Sequence, residues 1–211
     1  MTRMALLLVS ILCAGLAPAS AELRDSYTPV PIVALGEIAE PDQYLVLTSA
    51  RPQDDPQAIS LSGYGPQQSF TDAMAGQDLH LGSELQAALA EALLGKKLKV
   101  VPADGQKAHY KLDVAVPVNS VGYSDAPKDS DLMPGFVALV MVRDMRTGEI
   151  LARDRIVYGR TEFESNHTLD CDARFRFASE DALLADPKAA ADGLRAGVAA
   201  VAAEIAAMMA R

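Results

Sequence analysis

Three histidines and two cysteines carry the imidazole and thiol chemistry of this 211-residue chain. His80 precedes a leucine-rich stretch and His109 opens an alternating one. His167 lies close to Asp170, Cys171 and Asp172. Nitrogen and sulfur ligands beside carboxylates suit zinc or copper, but such a site needs three or four ligands at set spacing. Only His167 and Cys171 are strong local ligands. A nucleophilic Cys171 activated by His167 is the alternative, yet four residues of separation on a loop give no assurance that thiol and imidazole meet. The carboxylate pairs Asp54-Asp55 and Asp170-x-Asp172 read as loop residues. Acid–base work on sugars usually needs an aromatic cleft, and the chain has no Trp.

Sequence motifs add nothing catalytic. There is no Gly-x-Ser-x-Gly elbow, phosphate loop, His-Glu-x-x-His or Cys-x-x-Cys. Gly63-Tyr-Gly65 lacks a third glycine and reads as a turn. No catalytic, cofactor-binding or metal-binding residue is assigned, and no cofactor. The balance is against an enzyme. A small metal-binding or Cys/His-dependent enzyme at His167 and Cys171 is the alternative.

The first 21 residues read as an export signal: Arg3, an apolar run over residues 4–16, then Ala19-Ser20-Ala21, with Glu22 starting the mature chain. Thirteen apolar residues do not span a bilayer, and no later run is longer, so no membrane span is expected. Leu12 stands where lipid attachment at Cys13 would want a small residue, so a lipid anchor is not expected. Without the leader, Cys171 is the lone thiol and the fold relies on its core. Residues 22–211 hold 18 basic and 28 acidic side chains, a net charge of −10. That balance argues against nucleic acid and anionic lipid head groups as partners. The one basic cluster, Lys96-Lys97-Leu98-Lys99, reads as the solvated start of a strand.

The elements that must position these residues follow from periodicity. Residues 22–31 read as an exposed arm. Residues 32–35 suggest an edge strand and 44–48 a better one. Residues 50–77 read as a long Pro/Gly loop, with a short strand conceivable at 58–62. Leu81, Leu85, Leu89 and Leu93 mark a helix over 81–94, terminated by Gly95. A short strand follows at 98–101. Residues 109–118 alternate strictly, with Tyr110, Leu112, Val114, Val116 and Val118 on one face, so one side of the sheet is wet. Pro117 points to a bulge or an edge there. Residues 120–134 read as a polar loop. Residues 136–145 and 149–159 form a hairpin around Arg146-Thr147-Gly148, where Asp154 breaks the apolar phase like a bulge or an exposed strand end. Residues 161–177 show no period. Asp186-Pro187 opens a last helix, Ala-rich, with Leu194, Val198, Val201, Ile205 and Met208 or Met209 in phase. Its stripe suits the domain's own sheet. A homo-oligomer through this helix is the sharper reading.

Four segments occur together: Leu85-Gln-Ala-Ala-Leu-Ala-Glu-Ala-Leu, Leu98-Lys-Val-Val, His109-Tyr-Lys-Leu-Asp-Val, and Val140-Met-Val-Arg-Asp-Met-Arg-Thr-Gly-Glu-Ile-Leu. Over roughly residues 81–158 this order resembles small α+β domains of the bacterial cell envelope: the amino-terminal domain of TolB, the curli-secretion lipoprotein and penicillin-binding-protein activators. The resemblance implies a non-enzymatic domain that docks other envelope proteins, and it transfers no catalytic residue. The expected architecture is one α+β domain over residues 32–211, an antiparallel sheet of four or five strands with two helices on one face. The expected protein is exported, soluble and periplasmic. It binds or helps assemble other envelope proteins, with the loops at 50–77 and 120–134 as contact surfaces.

Overall fold

The computed structural model describes residues 30–47, 68–105, 107–118, 120–126, 129–159, 165 and 167–211. The leader, residues 22–29 of the arm and the segment 58–62 lie outside the described residues. The chain runs β1 (Ile32–Leu35), β2 (Leu45–Leu47), α1 (Gln68–Ala75), α2 (Leu81–Gly95), β3 (Lys99–Pro102) and β4 (Tyr110–Ala115). It continues through β5 (Val121–Ala126), β6 (Asp129–Asp144), β7 (Ile150–Tyr158), β8 (His167–Leu169), a 3-10 turn (Ala173–Phe175), α3 (Glu180–Ala185) and α4 (Pro187–Met209).

The long strand β6 organises one mixed sheet. On one side it pairs antiparallel with β5 through residues 129–136 and with β4 through 139–144. On the other it pairs antiparallel with β7. The pairs β1–β3, β1–β4, β2–β5 and β7–β8 are parallel. The expected sheet of four or five antiparallel strands with two helices is therefore corrected: the described residues form eight strands in one mixed sheet and four α-helices. The parallel partners were illegible because strands of three or four residues are too short to show a period. The expected edge strand at 32–35 lies inside the sheet, flanked by β3 and β4.

Two further elements replace expected loops. Within 120–134, residues 121–126 are β5 and residues 129–134 the start of β6. Val121, Tyr123, Leu132 and Met133 are buried there, but Gly122, Ser124, Asp125 and Asp131 dilute the pattern. Within 50–77, residues 50–67 lie outside the described residues, and 68–75 form α1. Phe70 and Met74, one helical turn apart, are fully buried, in a segment whose neighbouring glycines and prolines read as turns. α3 starts at Ser179, whose hydroxyl accepts from the Ala182 N–H at 3.2 Å.

Other expectations hold in part. The alternating strand ends at Ala115, before Pro117, and Val118 is exposed. At the last helix, Asp186 accepts from the Ala189 N–H at 3.0 Å and Pro187 takes the first turn. Leu194, Val198, Val201, Ile205 and Met209 are buried in the chain's own core, so the stripe considered for oligomer contacts is occupied internally. α2 includes Gly95, which does not terminate it. Lys97 adopts the left-handed conformation (φ 63°). The Lys97 N–H bonds the Leu94 carbonyl at 2.9 Å, and the Leu98 N–H bonds that of Leu93 at 3.0 Å. This is the Schellman pattern, with Leu98 packed in the core beside Leu93. The lysine cluster is thus a helix stop running into an edge strand.

The core lies between one sheet face and the helices. In it Tyr123 donates to the Ala190 carbonyl of α4 at 3.0 Å and meets Phe70 and Phe177 edge-on at 5.8 and 5.5 Å. Burial raises its phenol pKa well above the ordinary value. Gly193 makes this contact possible, since a Cβ there would stand 2.3 Å from the Tyr123 hydroxyl. One turn on, a Cβ at Gly197 would stand 2.8 Å from the Tyr158 ring. α4 therefore lies close on the sheet. Gly193→Ala is expected to lower stability by about 1–3 kcal/mol through overpacking. Gly95→Ala, with open space around it, should leave stability unchanged or slightly raised. Urea titration separates the two. Lys97→Gly is expected to stabilise by roughly 0.5–1 kcal/mol, by relieving a side chain from a left-handed backbone. An unchanged or lowered midpoint would contradict that assignment.

Candidate functional site

The structure parts His167 from Cys171. β8 is parallel to β7, with His167 opposite Ile156 and Leu169 opposite Tyr158. His167 therefore faces the helices at the C-terminal half of α4. Its Nδ1 lies 2.9 Å from Glu204 Oε1, and its Nε2 lies 4.0 Å from Asp154 Oδ1. Arg211 Nη2 stands 3.7 Å from the same Glu204 oxygen. Cys171 lies four residues further on and packs partly buried against the core. Asp172 beside it accepts from the Arg174 N–H at 3.0 Å and pairs with its guanidinium at 2.8 Å. Asp170 is exposed. The alternative pairing of His167 with Cys171 gains no contact here, because the intervening segment is extended.

Asp154 finds its explanation here. The strand register runs through it unbroken, opposite Val140, and the irregularity falls instead between Val142 and Arg143. Asp154 leaves the apolar phase to face an imidazole. Glu204 orients that ring through Nδ1, and Nε2 points toward Asp154 beyond hydrogen-bonding distance. No group of three or more His, Cys, Asp or Glu side chains among the described residues is arranged to hold a metal ion.

Of the other histidines, His109 serves the fold. His109 Nδ1 accepts from the Ile32 N–H at 3.1 Å, and its own N–H bonds the Ile32 carbonyl at 2.8 Å, tying β1 to the start of β4. His80 is exposed beside Asp78 at 3.1 Å. The start of α2 is capped from a distance. Glu40 accepts from the N–H groups of Gly82 and Ser83, both at 2.8 Å, and from the Ser83 hydroxyl at 3.0 Å. Burial opposes the Glu40 charge, but the Ser83 and Gly82 bonds outweigh it and hold the carboxyl below its usual range. Nearby, burial and then the charges of Glu40 and Glu84 push the Tyr44 phenol up to about 12.

The surface that stands out is the sheet face turned away from the helices. Register aligns it in two rows across three strands: Asp113–Met141–Arg153 and Ala115–Leu139–Arg155. Together they line a shallow groove of about 470 Å³. Leu139 is 40% exposed at its centre, and Arg153 and Arg155 form one exposed wall. On the opposite wall Asp113 is held by Lys111 at 2.9 Å. The wet face was legible in the alternation of residues 109–118. The apolar floor was hidden, because residues 136–145 read as continuously apolar and only pairing shows which side each residue faces.

No helix among the described residues is long and apolar enough to cross a membrane. The chain matches no protein-family model and no curated protein. Among solved structures it is similar to a Xanthomonas campestris protein described by the family model DUF330. That likeness has 14% identity and a TM-score of 0.44, over 84% of this chain and 82% of that one. It is similar to the PelC dodecamer protein of Paraburkholderia phytofirmans at 13% identity and TM-score 0.38, over 86% and 90% of the two chains. It is also similar to a candidate lipoprotein of Caulobacter crescentus at 16% identity and TM-score 0.34, over 66% and 93%. These comparisons do not confirm the resemblance to the TolB, curli-secretion or penicillin-binding-protein activator domains.

The His167–Glu204 contact is expected to act as a structural tie between β8 and α4. In a double-mutant cycle of His167→Ala and Glu204→Ala, the coupling should be about 0.5–1 kcal/mol, a value fitting a pair that is only partly shielded from water. Cys171→Ala should leave that coupling unchanged. A coupling that vanishes with Cys171 would restore a shared site.

Proposed function

We propose that the protein is an exported, non-enzymatic accessory of the bacterial cell envelope that binds other envelope proteins through the open face of its sheet. The observation that carries this reading is the groove over Leu139 and Met141 with Arg153 and Arg155 as its wall. An apolar strip rimmed by charge is the anatomy of a protein-binding patch. The leader pattern of residues 1–21 supports export. Of the two segments expected as contact surfaces, residues 121–126 and 129–134 are strand, 68–75 are helix, and 50–67 lie outside the described residues. The enzymatic alternative at His167 and Cys171 gains no support from a geometry that gives the two residues different neighbours.

The reading is tested in cells with a photo-crosslinking amino acid at Leu139, and separately at Leu94, which is exposed on α2. The expected outcome is a mature protein beginning at Glu22 and discrete adducts from position 139 only. An unprocessed leader, or the same adducts from both positions, would overturn it.

A further inference from the structure

We infer that one end of the molecule, where β3 and β4 begin and β6 turns into β7, docks on the surface of an anionic lipid bilayer. Leu94, Met145 and Ile150 enter the interface there, and Lys97, Lys99 and Arg146 meet the head groups. This docking is independent of the binding role proposed for the open sheet face.

Placement is the first observation. β1 is parallel to β3 and β4, and β4 is antiparallel to β6, so the starts of β1, β3 and β4 lie beside the end of β6. Backbone bonds join them in a row. The Met145 N–H donates to the His109 carbonyl at 2.8 Å, the His109 N–H to that of Ile32 at 2.8 Å, and the Lys99 N–H to that of Pro31 at 2.9 Å. Lys97, bonded to Leu94, brings the end of α2 to the same place. Six large apolar side chains are exposed among the described residues, and four of them stand at this end: Val30, Leu94, Met145 and Ile150. Single exposed apolar residues are ordinary, whereas a gathering of them marks a contact surface.

The second observation is charge. Over residues 91–107 and 145–150, five lysines and arginines stand against three carboxylates. Over residues 170–186, five carboxylates stand against two arginines. That acidic stretch lies toward the opposite end of β6, because Leu169 is level with Tyr158 and Phe136, and Phe177 bridges Leu132. The net charge of −9 argued against anionic head groups as partners. Its uneven spread leaves the apolar end with the local excess of cations.

This combination suits a bilayer interface. Lysine and arginine stems lie along apolar surface while their heads reach phosphates. Apolar side chains enter the boundary below, and anionic lipids add to the attraction. The open sheet face runs along the strands and not across their ends, so docking at this end leaves the groove over Leu139 uncovered.

The test is co-sedimentation of the mature protein with vesicles of phosphatidylglycerol and phosphatidylcholine, and with vesicles of phosphatidylcholine alone. Binding to the anionic vesicles only is expected, weakening as salt rises. Lys99→Glu/Arg146→Glu should bind at least about tenfold more weakly, and Leu94→Ser/Met145→Ser at least about threefold more weakly. Arg153→Glu/Lys188→Glu, with the same charge change away from this end, should bind as the parent does. Matching thermal melts show that the variants are folded. In cells, a photo-crosslinking amino acid at Leu94 should capture lipid and no protein. No binding to the anionic vesicles at about 1 mM lipid, in the range of weak association, would overturn the proposal. So would equal losses in the two charge variants, parental binding by the serine variant, or protein adducts from Leu94, which would assign this end to a protein partner.

Discussion

The close seating of α4 on the sheet is the constraint from which the rest of the molecule follows. Gly193 leaves room for the Tyr123 hydroxyl to reach the Ala190 carbonyl, and Gly197 leaves room for the Tyr158 ring. With no side chain at these two positions, the helix backbone comes within van der Waals reach of two aromatic rings. Burial there is dense, and dense packing is felt at the level of a single methyl group. The same geometry sets the height of α2, which packs beside α4, and so the depth of the leucine row Leu81, Leu85, Leu89 and Leu93. Were α4 lifted by a side chain, Tyr123 would lose the Ala190 carbonyl that its hydroxyl reaches.

Polar contacts then tie the helical layer together at its margins. Arg195 of α4 reaches the carbonyls of Gln77 and Asp78 at 3.0 and 3.2 Å and the carboxylate of Glu84 at 3.2 Å. One guanidinium thus holds the link between α1 and α2, using the directed fork that a lysine lacks. Glu40 holds the start of α2, where His80 offers no side-chain cap. At the far end of α4, Glu204 meets the imidazole of His167. Each contact joins residues distant in sequence, so each takes effect only once the layers have assembled.

With one sheet face committed to the helices, the other is left to solvent. The same alternation that buries Leu112, Val114, Val140 and Val142 turns Asp113, Ala115, Leu139 and Met141 outward. An exposed leucine by itself is ordinary, whereas a leucine and a methionine beside two arginines form a surface with a chemical preference. The binding role proposed for this face rests on that arrangement.

Local rules were enough for the amphipathic helix over 81–94, the Asp186-Pro187 start of α4, the hairpin at Arg146-Thr147-Gly148 and the alternation at 109–118. Each is decided within a few residues, by periodicity, a cap or a turn. Local rules failed where the information is pairwise. Val121 and Tyr123 lie in a strand because β2 and β6 flank it, though glycine, serine and aspartate dilute their signal. Phe70 and Met74 make a helix because the core receives them. His167 and Cys171 are neighbours in sequence and strangers in space, since an extended segment separates side chains that a helix would have stacked. Asp154, a break in phase on paper, keeps its register opposite Val140 and turns its carboxylate toward His167. The chain by itself thus determined these locally coded elements and the absence of recognised catalytic motifs from its sequence. Tertiary structure decided which residues meet, because meeting depends on strand order, register and the distance at which α4 rests on the sheet.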